Sequence, residues 1–477
     1  MVFSSPTFLF WFLPAVLWGR LLIGQRIGWQ NILLLVASFF FYASADAANL
    51  ALLTASIIIN YGVGLFLGPK RPRLSRIMLA VGVTANLLLL GSFKYAGYVV
   101  AQINGVVGHV VISLDPIPLP LGISFFTFQA MSYLIDVARG ESEPQRNLFR
   151  LAMYISLFPQ LVAGPIVRYR DVDAQIVERK LMLADLAPGM RRFIVGLGKK
   201  ILIADNLAPV VQAAFDGGLG APGPMLAWLG ALCFTGQIYF DFSGYSDMAI
   251  GLGRMFGFRF RENFEHPYAS RSIVEFWRRW HISLSTWFRD YLYIPLGGNR
   301  CPPLRRSLNL WVVFVLCGLW HGASTSFLVW GVYHGTFLVL ERTRLDRLRA
   351  KLPGWAAQIY TLAVVVIGWV LFRANTLNEA LLHLASMSQL LQQAWTGETG
   401  ILATLTSEVD AVVALALIAS VIFATRQPTE LLARSFERLQ LDRVGPFARD
   451  SALLLCFFAC IVSAAATTFR PFLYWRF

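Results

Sequence analysis

Runs of about twenty apolar residues, the length a helix needs to cross a bilayer, recur near residues 7–23, 29–45, 47–67 and 77–92. Between the first two lie Arg20 and Arg26, and after the third come Lys70, Arg71, Arg73 and Arg76 with no acidic residue among them. Basic loops stay on the cytoplasmic side. The turn between the second and third runs carries only Asp46, so the N-terminus is predicted to lie outside. A chain that is 56% hydrophobic and 14% charged falls short of the ~25% charged residues with which a soluble domain covers itself. Its net charge of +14 does not point to nucleic acid, because the basic residues are spread over short linkers and do not gather on one solvated face. The opening MVFSSPTFLFWFLP has no basic residue ahead of its apolar run, so no cleaved signal peptide is expected. Five cysteines without framework spacing read as small core hydrophobes, with Cys301 reduced in a basic loop.

Three more apolar stretches follow, near 95–113, 118–135 and 150–166. They are expected to make three crossings, because the next loop, with Arg168, Arg170, Arg179, Lys180, Arg191 and Arg192, is again basic and an odd number returns the chain to the cytoplasm. Within them, Phe158 to Pro165 is a poor helix interior. Irregular backbone at membrane depth is tolerated only inside protein or along a cavity, so this segment is expected to line a pathway. Segments near 193–215 and 224–252 lead into a long loop, 254–306, with ten arginines. Beyond it, Ser307 to Leu340 is 34 residues without formal charge, too short for two full crossings and too long for one upright helix. A re-entrant hairpin turning at Trp320 to Ser324 is predicted, which puts His321 on a turn deep in the membrane. Crossings near 357–372, 409–425 and 451–469 complete the chain, with the basic stretch Arg426 to Arg449 inside. The fold class is therefore an all-α polytopic membrane protein, a single domain over 1–477, with about 11–12 transmembrane helices plus re-entrant and interfacial helices.

Ionisable groups inside a membrane are costly and need a reason. His321 is the foremost of six histidines, with a hydrogen-bonded core histidine as the plainer alternative, and His334 reads as packing or orienting support. Taken as one helix, residues 273–291 place Trp277, Trp280, His281, Leu284, Phe288 and Tyr291 on one face. Arg278, Ser285 and Arg289 fall on the adjacent stripe, so an interfacial amphipathic helix is predicted. Asp241 and Asp247 lie among apolar residues, where pairing with loop arginines is expected and a proton relay or substrate site is the alternative. No H-E-x-x-H, cysteine cluster or G-x-S-x-G is present, which removes support for a zinc site or a serine hydrolase. Gly196-Leu197-Gly198-Lys199-Lys200 lacks the first glycine and the Ser/Thr of a phosphate loop. A buried histidine as general base, with donors for a developing oxyanion, suffices for acyl transfer from a thioester to a hydroxyl. Arg278, Arg279, Arg289 and Arg300 would hold a nucleotide-bearing donor such as coenzyme A at a cytoplasmic mouth. A transporter with Asp241, Asp247 and His321 along its path and a non-catalytic scaffold are the rival classes, although no internal repeat supports the first.

Trp320-His321-Gly322-Ala323 is preceded by LFPQLVAGPIVRY (157–169), YFDFSGYSDMAIGLGRMFGF (239–258) and FWRRWHISLSTWFRDYLYIPLGGNR (276–300). This series closely resembles the membrane-bound O-acyltransferase family and, within it, the alginate O-acetylation branch. The resemblance implies a ring of transmembrane helices around a central funnel in the bacterial inner membrane, with His321 as the key histidine and His281 as the second. It also implies acetyl-CoA as a cytoplasmic donor substrate with no bound cofactor, and a polysaccharide acceptor outside, reached through a partner acetyltransferase. D-alanyl transfer to teichoic-acid-type acceptors is the alternative. Trp320, Asp241, Asp247 and His334 would support the site, lipid would surround the chain, and neither metal nor nucleic acid is expected. Relatives commonly carry proline where this chain has Arg261, which leaves the local turn open.

Overall fold

A computed structural model describes residues 1–115, 117–217, 221–342, 344–396, 410–424, 445–466 and 472–473. Their regular structure is helical, with no strand among the described residues, and the protein is an all-α polytopic membrane protein. Among the described residues, five helical stretches are long and apolar enough to cross a membrane: Ile27–Gly64, Pro72–Lys94, Pro224–Met255, Gly354–Arg373 and Phe447–Ala466. The residues fall into two compact units interleaved in sequence, Met1–Phe193 with Tyr245–Glu262, and Ile194–Gly244 with Asn263–Phe477.

The first unit holds α1 (Leu13–Ile23), α2 (Ile27–Asp46), α3 (Leu50–Gly64) and α4 (Pro72–Lys94), which follow the four expected apolar runs. It continues with α5 (Ala96–Val107), α6 (Ile123–Arg139), α7 (Leu148–Ser156), α8 (Phe158–Leu161), α9 (Tyr169–Val177) and the start of α10 (Leu186–Gly198). The stretch expected to cross at 95–113 forms only the 12-residue α5, about 18 Å at 1.5 Å per residue, because Gly108 ends it in the left-handed region. The weak helix former predicted at 158–165 is a four-residue helix followed by a bend over 162–164, with Gly164 at φ 102°. Its backbone is satisfied by side chains: Ser38 Oγ accepts from Phe158 N at 3.0 Å and Tyr154 Oη donates to Val167 O at 2.9 Å. Phe158 packs edge-on against Phe12 at 5.2 Å, and Phe3 stacks on Tyr245 at 4.6 Å.

The second unit contains α11 (Asp205–Asp216), most of α12 (Pro224–Met255), α13 (Ile273–Arg279), α14 (Ile282–Phe288), α15 (Pro303–His321), α16 (Thr325–Leu340), α17 (Arg344–Arg349), α18 (Gly354–Arg373) and α19 (Leu377–Thr396). The basic segment 254–306 is not a plain loop, since α13, α14 and the π-helical turn Arg289–Tyr293 lie within it. The single amphipathic helix expected over 273–291 is broken at Trp280 and His281, the latter at φ 43°. Its aromatic face is nevertheless buried. The amphipathic α19 had no counterpart among the expected elements, because its polar residues hide it from a search for spans. The crossings expected at 409–425 and 451–469 correspond to helices Ala411–Phe423 and Gly445–Ala466. Residues 409, 425–444 and 467–471, with most of the basic stretch, lie outside the described residues.

The uncharged stretch does form a helical hairpin, α15 and α16, joined by Gly322 to Ser324. Close approach of its arms depends on glycine: a Cβ on Gly318 would stand 2.3 Å from Phe327 O, and one on Gly331 would stand 2.4 Å from Phe314 O. Gly331→Ala is therefore expected to destabilise the protein by ~1–3 kcal/mol through overpacking, read as a lower melting temperature in detergent. Gly335→Ala, whose Cβ would meet its nearest neighbours at 3.5 Å, is the control that keeps the wild-type value.

Candidate active site

His321 closes α15 as its last helical residue, one position before the turn on which the sequence predicted it. The helix stops there because Gly322 takes extended backbone at φ −169° and Ser324 caps α16, its Oγ accepting from Phe327 N at 3.4 Å. A Cβ on Gly322 would lie 2.2 Å from the Phe327 ring, so glycine is required for that ring to fold under the turn. His321 is 3% exposed and is boxed edge-to-face by Trp320 at 4.8 Å, Trp330 at 5.3 Å and Phe372 at 5.1 Å.

His281 sits at the break between α13 and α14. Its left-handed backbone is held by Asn263, whose O accepts from Ile282 N at 2.9 Å. Asn263 Oδ1 accepts from Ser283 N at 3.2 Å, from Ser283 Oγ at 2.8 Å and from His281 Nδ1 at 3.2 Å. An amide oxygen only accepts, so Nδ1 carries the proton in the neutral ring and Nε2 is the nitrogen with the lone pair. The ring lies edge-on to Phe242 at 4.6 Å and reaches Trp320 at 6.2 Å. Trp320 thus makes ring contact with both histidines, which stand 40 positions apart in the chain.

Burial pushes the His281 imidazole down to about 3. The unfolded chain takes up a proton there below ~6.5 and the folded chain does not, so stability falls as pH drops from about 6.5 towards 3. At pH 5 the loss amounts to ~2 kcal/mol. His281→Gln is expected to lose less melting temperature than wild type between pH 7 and pH 5.

His334, on α16, is 1% exposed and packs edge-on to Trp330 and Trp277, each at 5.1 Å. Neither of its ring nitrogens has a hydrogen-bond partner among the described residues. A Cβ on Gly368 of α18 would stand 2.6 Å from its Nε2. Trp330 touches both His321 and His334, which ties the support residue to the key histidine.

The two intramembrane carboxylates part company. Asp247 accepts from Arg192 Nη2 at 2.7 Å in the first unit, the arginine pairing that was expected. Asp241, in the second unit, is paired with a lysine and not with a loop arginine. Lys200 Nζ lies 2.8 Å from Asp241 Oδ1 and 2.7 Å from Asp205 Oδ1, and Asp241 Oδ2 accepts from Leu473 N at 2.8 Å. The correction has a structural cause. Lys200 lies on the π-helical turn Lys199–Ala204 between α10 and α11, and a Cβ on Gly244 would stand 3.2 Å from Lys200 N, so glycine lets that turn approach α12.

Of the four arginines assigned to the donor, Arg278, Arg289 and Arg300 are exposed. Arg279 is tied to Glu275 Oε1 at 2.8 Å and Arg289 to Asp290 Oδ1 at 2.7 Å. Arg261 lies in chain without regular structure and reaches Asp171 Oδ1 at 2.7 Å in the first unit. Among the described residues no three His, Cys, Asp or Glu side chains gather where they would hold a metal ion. Sequence reasoning missed Asn263, Trp330 and Lys200 as site residues. Asn263 lies in Phe260-Arg261-Glu262-Asn263-Phe264, and an uncharged polar residue beside the aromatic Phe264 was the available signal.

A helical membrane fold with two buried histidines flanking one indole is what the comparisons with known proteins meet. The profile of the membrane-bound O-acyltransferase family matches residues 123–378. Over its full length, and that of its relative, the chain is 41% identical to the probable alginate O-acetylase of Azotobacter vinelandii. It is 46% identical to that of Pseudomonas aeruginosa over 80% of this chain and 73% of the relative. A peptidoglycan O-acetyltransferase of Helicobacter pylori is 37% identical over 81% of this chain and 80% of the relative. The chain belongs to the membrane-bound O-acyltransferase family. It is a multi-pass membrane O-acyltransferase of the alginate O-acetylase type.

Proposed function

We propose that the protein moves an acetyl group from cytoplasmic acetyl-CoA to hydroxyls of an extracytoplasmic, alginate-like polysaccharide through a partner acetyltransferase. The observation that carries this reading is the pair His281 and His321 in ring contact with the same indole, Trp320. His321 takes the proton of the attacking hydroxyl as its oxygen bonds to the thioester carbonyl carbon. The tetrahedral oxyanion then collapses, the carbon–sulfur bond breaks, and the departing thiolate takes the proton back from the imidazolium. His321 stands at the C-terminal end of α15, where the partial negative charge of the helix favours that transient cation. The Trp330 N–H, with no partner among the described residues, is a donor available to the oxyanion.

His281 orients or relays from the cytoplasmic side, with Asn263 setting its tautomer. Arg278, Arg279, Arg289 and Arg300 offer cationic groups to the phosphates of the donor, while Trp320, Asp241 and His334 hold the surroundings and Asp247 supports the first unit through Arg192. In this reading 1–477 is one domain in the bacterial inner membrane, with the N-terminus outside. The test is incubation of the purified chain with acetyl-labelled acetyl-CoA. Release of free coenzyme A thiol is expected, with label on alginate once the periplasmic fraction is added. Intact donor after many hours, from a monodisperse preparation, would rule the reading out.

A further inference from the structure

The hairpin helix α16 ends at Glu341, whose carboxylate does not turn to solvent. Glu341 is 4% exposed, and no ion pair reaches it among the described residues. Its Oε1 accepts from Ile273 N at 2.8 Å and its Oε2 from Val274 N at 3.0 Å, the first two amides of α13. Amide donors at the positive end of a helix compensate a buried carboxylate where no cation does so. The carboxylate thereby fastens the hairpin that carries His321 to the helix that leads into His281.

The same two helices meet again further along. Trp277 of α13 packs at 5.6 Å on Trp330 and at 5.1 Å on His334, both of α16. As α13 advances from Ile273 to Trp277, its contacts on α16 run back from Glu341 to His334 and Trp330, so the pair is antiparallel. Apolar contact is non-directional and by itself leaves packed helices free to slide. Two hydrogen bonds of fixed length and angle set the register. At its other end α13 is bonded to the segment that holds the His281 turn, Glu265 N donating to Arg279 O at 3.0 Å beside the Asn263 bonds described above. A shift of α13 along α16 therefore carries His281 with it and changes its place against Trp320 and His321.

We propose that Glu341 is a positioning residue for acyl transfer: by capping α13 it sets the register of α13 on α16 and so the placement of His281 relative to His321. The proposal rests on the acyltransferase reading above and adds to it a residue that acts through others. A misplacement of about 1 Å is enough to cost ~100-fold in rate.

The test measures thiol release by the full chain in phosphatidylcholine nanodiscs, at saturating acetyl-CoA, well below the melting temperature and per folded molecule. Glu341→Gln keeps an acceptor oxygen at the same reach and gives up the charge. Glu341→Asp keeps the charge and withdraws it by one methylene, and Glu341→Met keeps the length with neither. The kcat of Glu341→Gln is expected within about threefold of wild type, while Glu341→Asp and Glu341→Met fall about tenfold or more. If Glu341→Met does not fold, the order of the other two decides. Amide exchange gives a readout independent of turnover: residues 273–283 are expected to exchange faster in Glu341→Asp than in wild type or Glu341→Gln. A role in stability alone would change the folded fraction and leave kcat per folded molecule equal, and that result overturns the proposal. So does a Glu341→Asp protein more active than Glu341→Gln, or equal exchange over 273–283. A wild type that releases no thiol is the separate failure of the acyltransferase reading, and the exchange then still decides whether Glu341 holds the His281 turn.

Discussion

His321→Ala is expected to lower thiol release from acetyl-CoA by ~10²–10⁴-fold, the contribution of a positioned general base. The histidine is buried against Trp320, Trp330 and Phe372, so alanine also leaves a void, and a fall in turnover alone would not separate chemistry from packing. His321→Asn keeps most of the volume and cannot act as a base at neutral pH. Both variants should lose turnover alike, while the asparagine variant stays closer to wild type in melting temperature. Activity near the wild-type level in a folded His321→Asn protein would remove His321 from the proton step and return it to the role of a core histidine.

Lys200→Met is expected to cost ~3–5 kcal/mol of stability, because it strands a buried carboxylate whose compensating charge has gone. Asp241 is almost wholly buried and would be left with the Leu473 amide alone of the partners described above. The companion variant Lys200→Met/Asp241→Leu removes both charges and should recover most of the loss, since a buried ion pair is often replaceable by apolar side chains. Thermal unfolding in detergent reads both. If Lys200→Met melts with wild type, or if the double variant is worse than the single one, the pair is not what holds these helices together.

Much of the architecture was legible because it depends on local patterns. The first four runs became α1 to α4, and the 34 uncharged residues between arginine-rich flanks became the α15–α16 hairpin with its turn where glycine and serine allow one. The run at 95–113 gave a helix shorter than its apolar length because apolar character sets membrane affinity, whereas Gly108 at positive φ sets where the helix ends. The segment 273–291 failed as one helix because a left-handed histidine has no periodic signature. Its cost is met by hydrogen bonds that Ile282 and Ser283 donate to Asn263, well upstream in the sequence.

The sequence by itself determined that this chain is a helical membrane protein, that its charged residues are confined to short stretches, and that His321 and His281 are its chemical candidates. These follow from composition, spacing and motif, which act over a few turns of helix. Only the tertiary structure decided that both histidines meet Trp320, that Asn263 sets the His281 tautomer, and that Asp241 answers to Lys200. Each of these joins residues far apart in the chain. The pairing is chosen by which buried polar groups can satisfy one another once the apolar faces have packed, and by the glycines at positions 244, 318 and 331, where a Cβ would keep the helices apart.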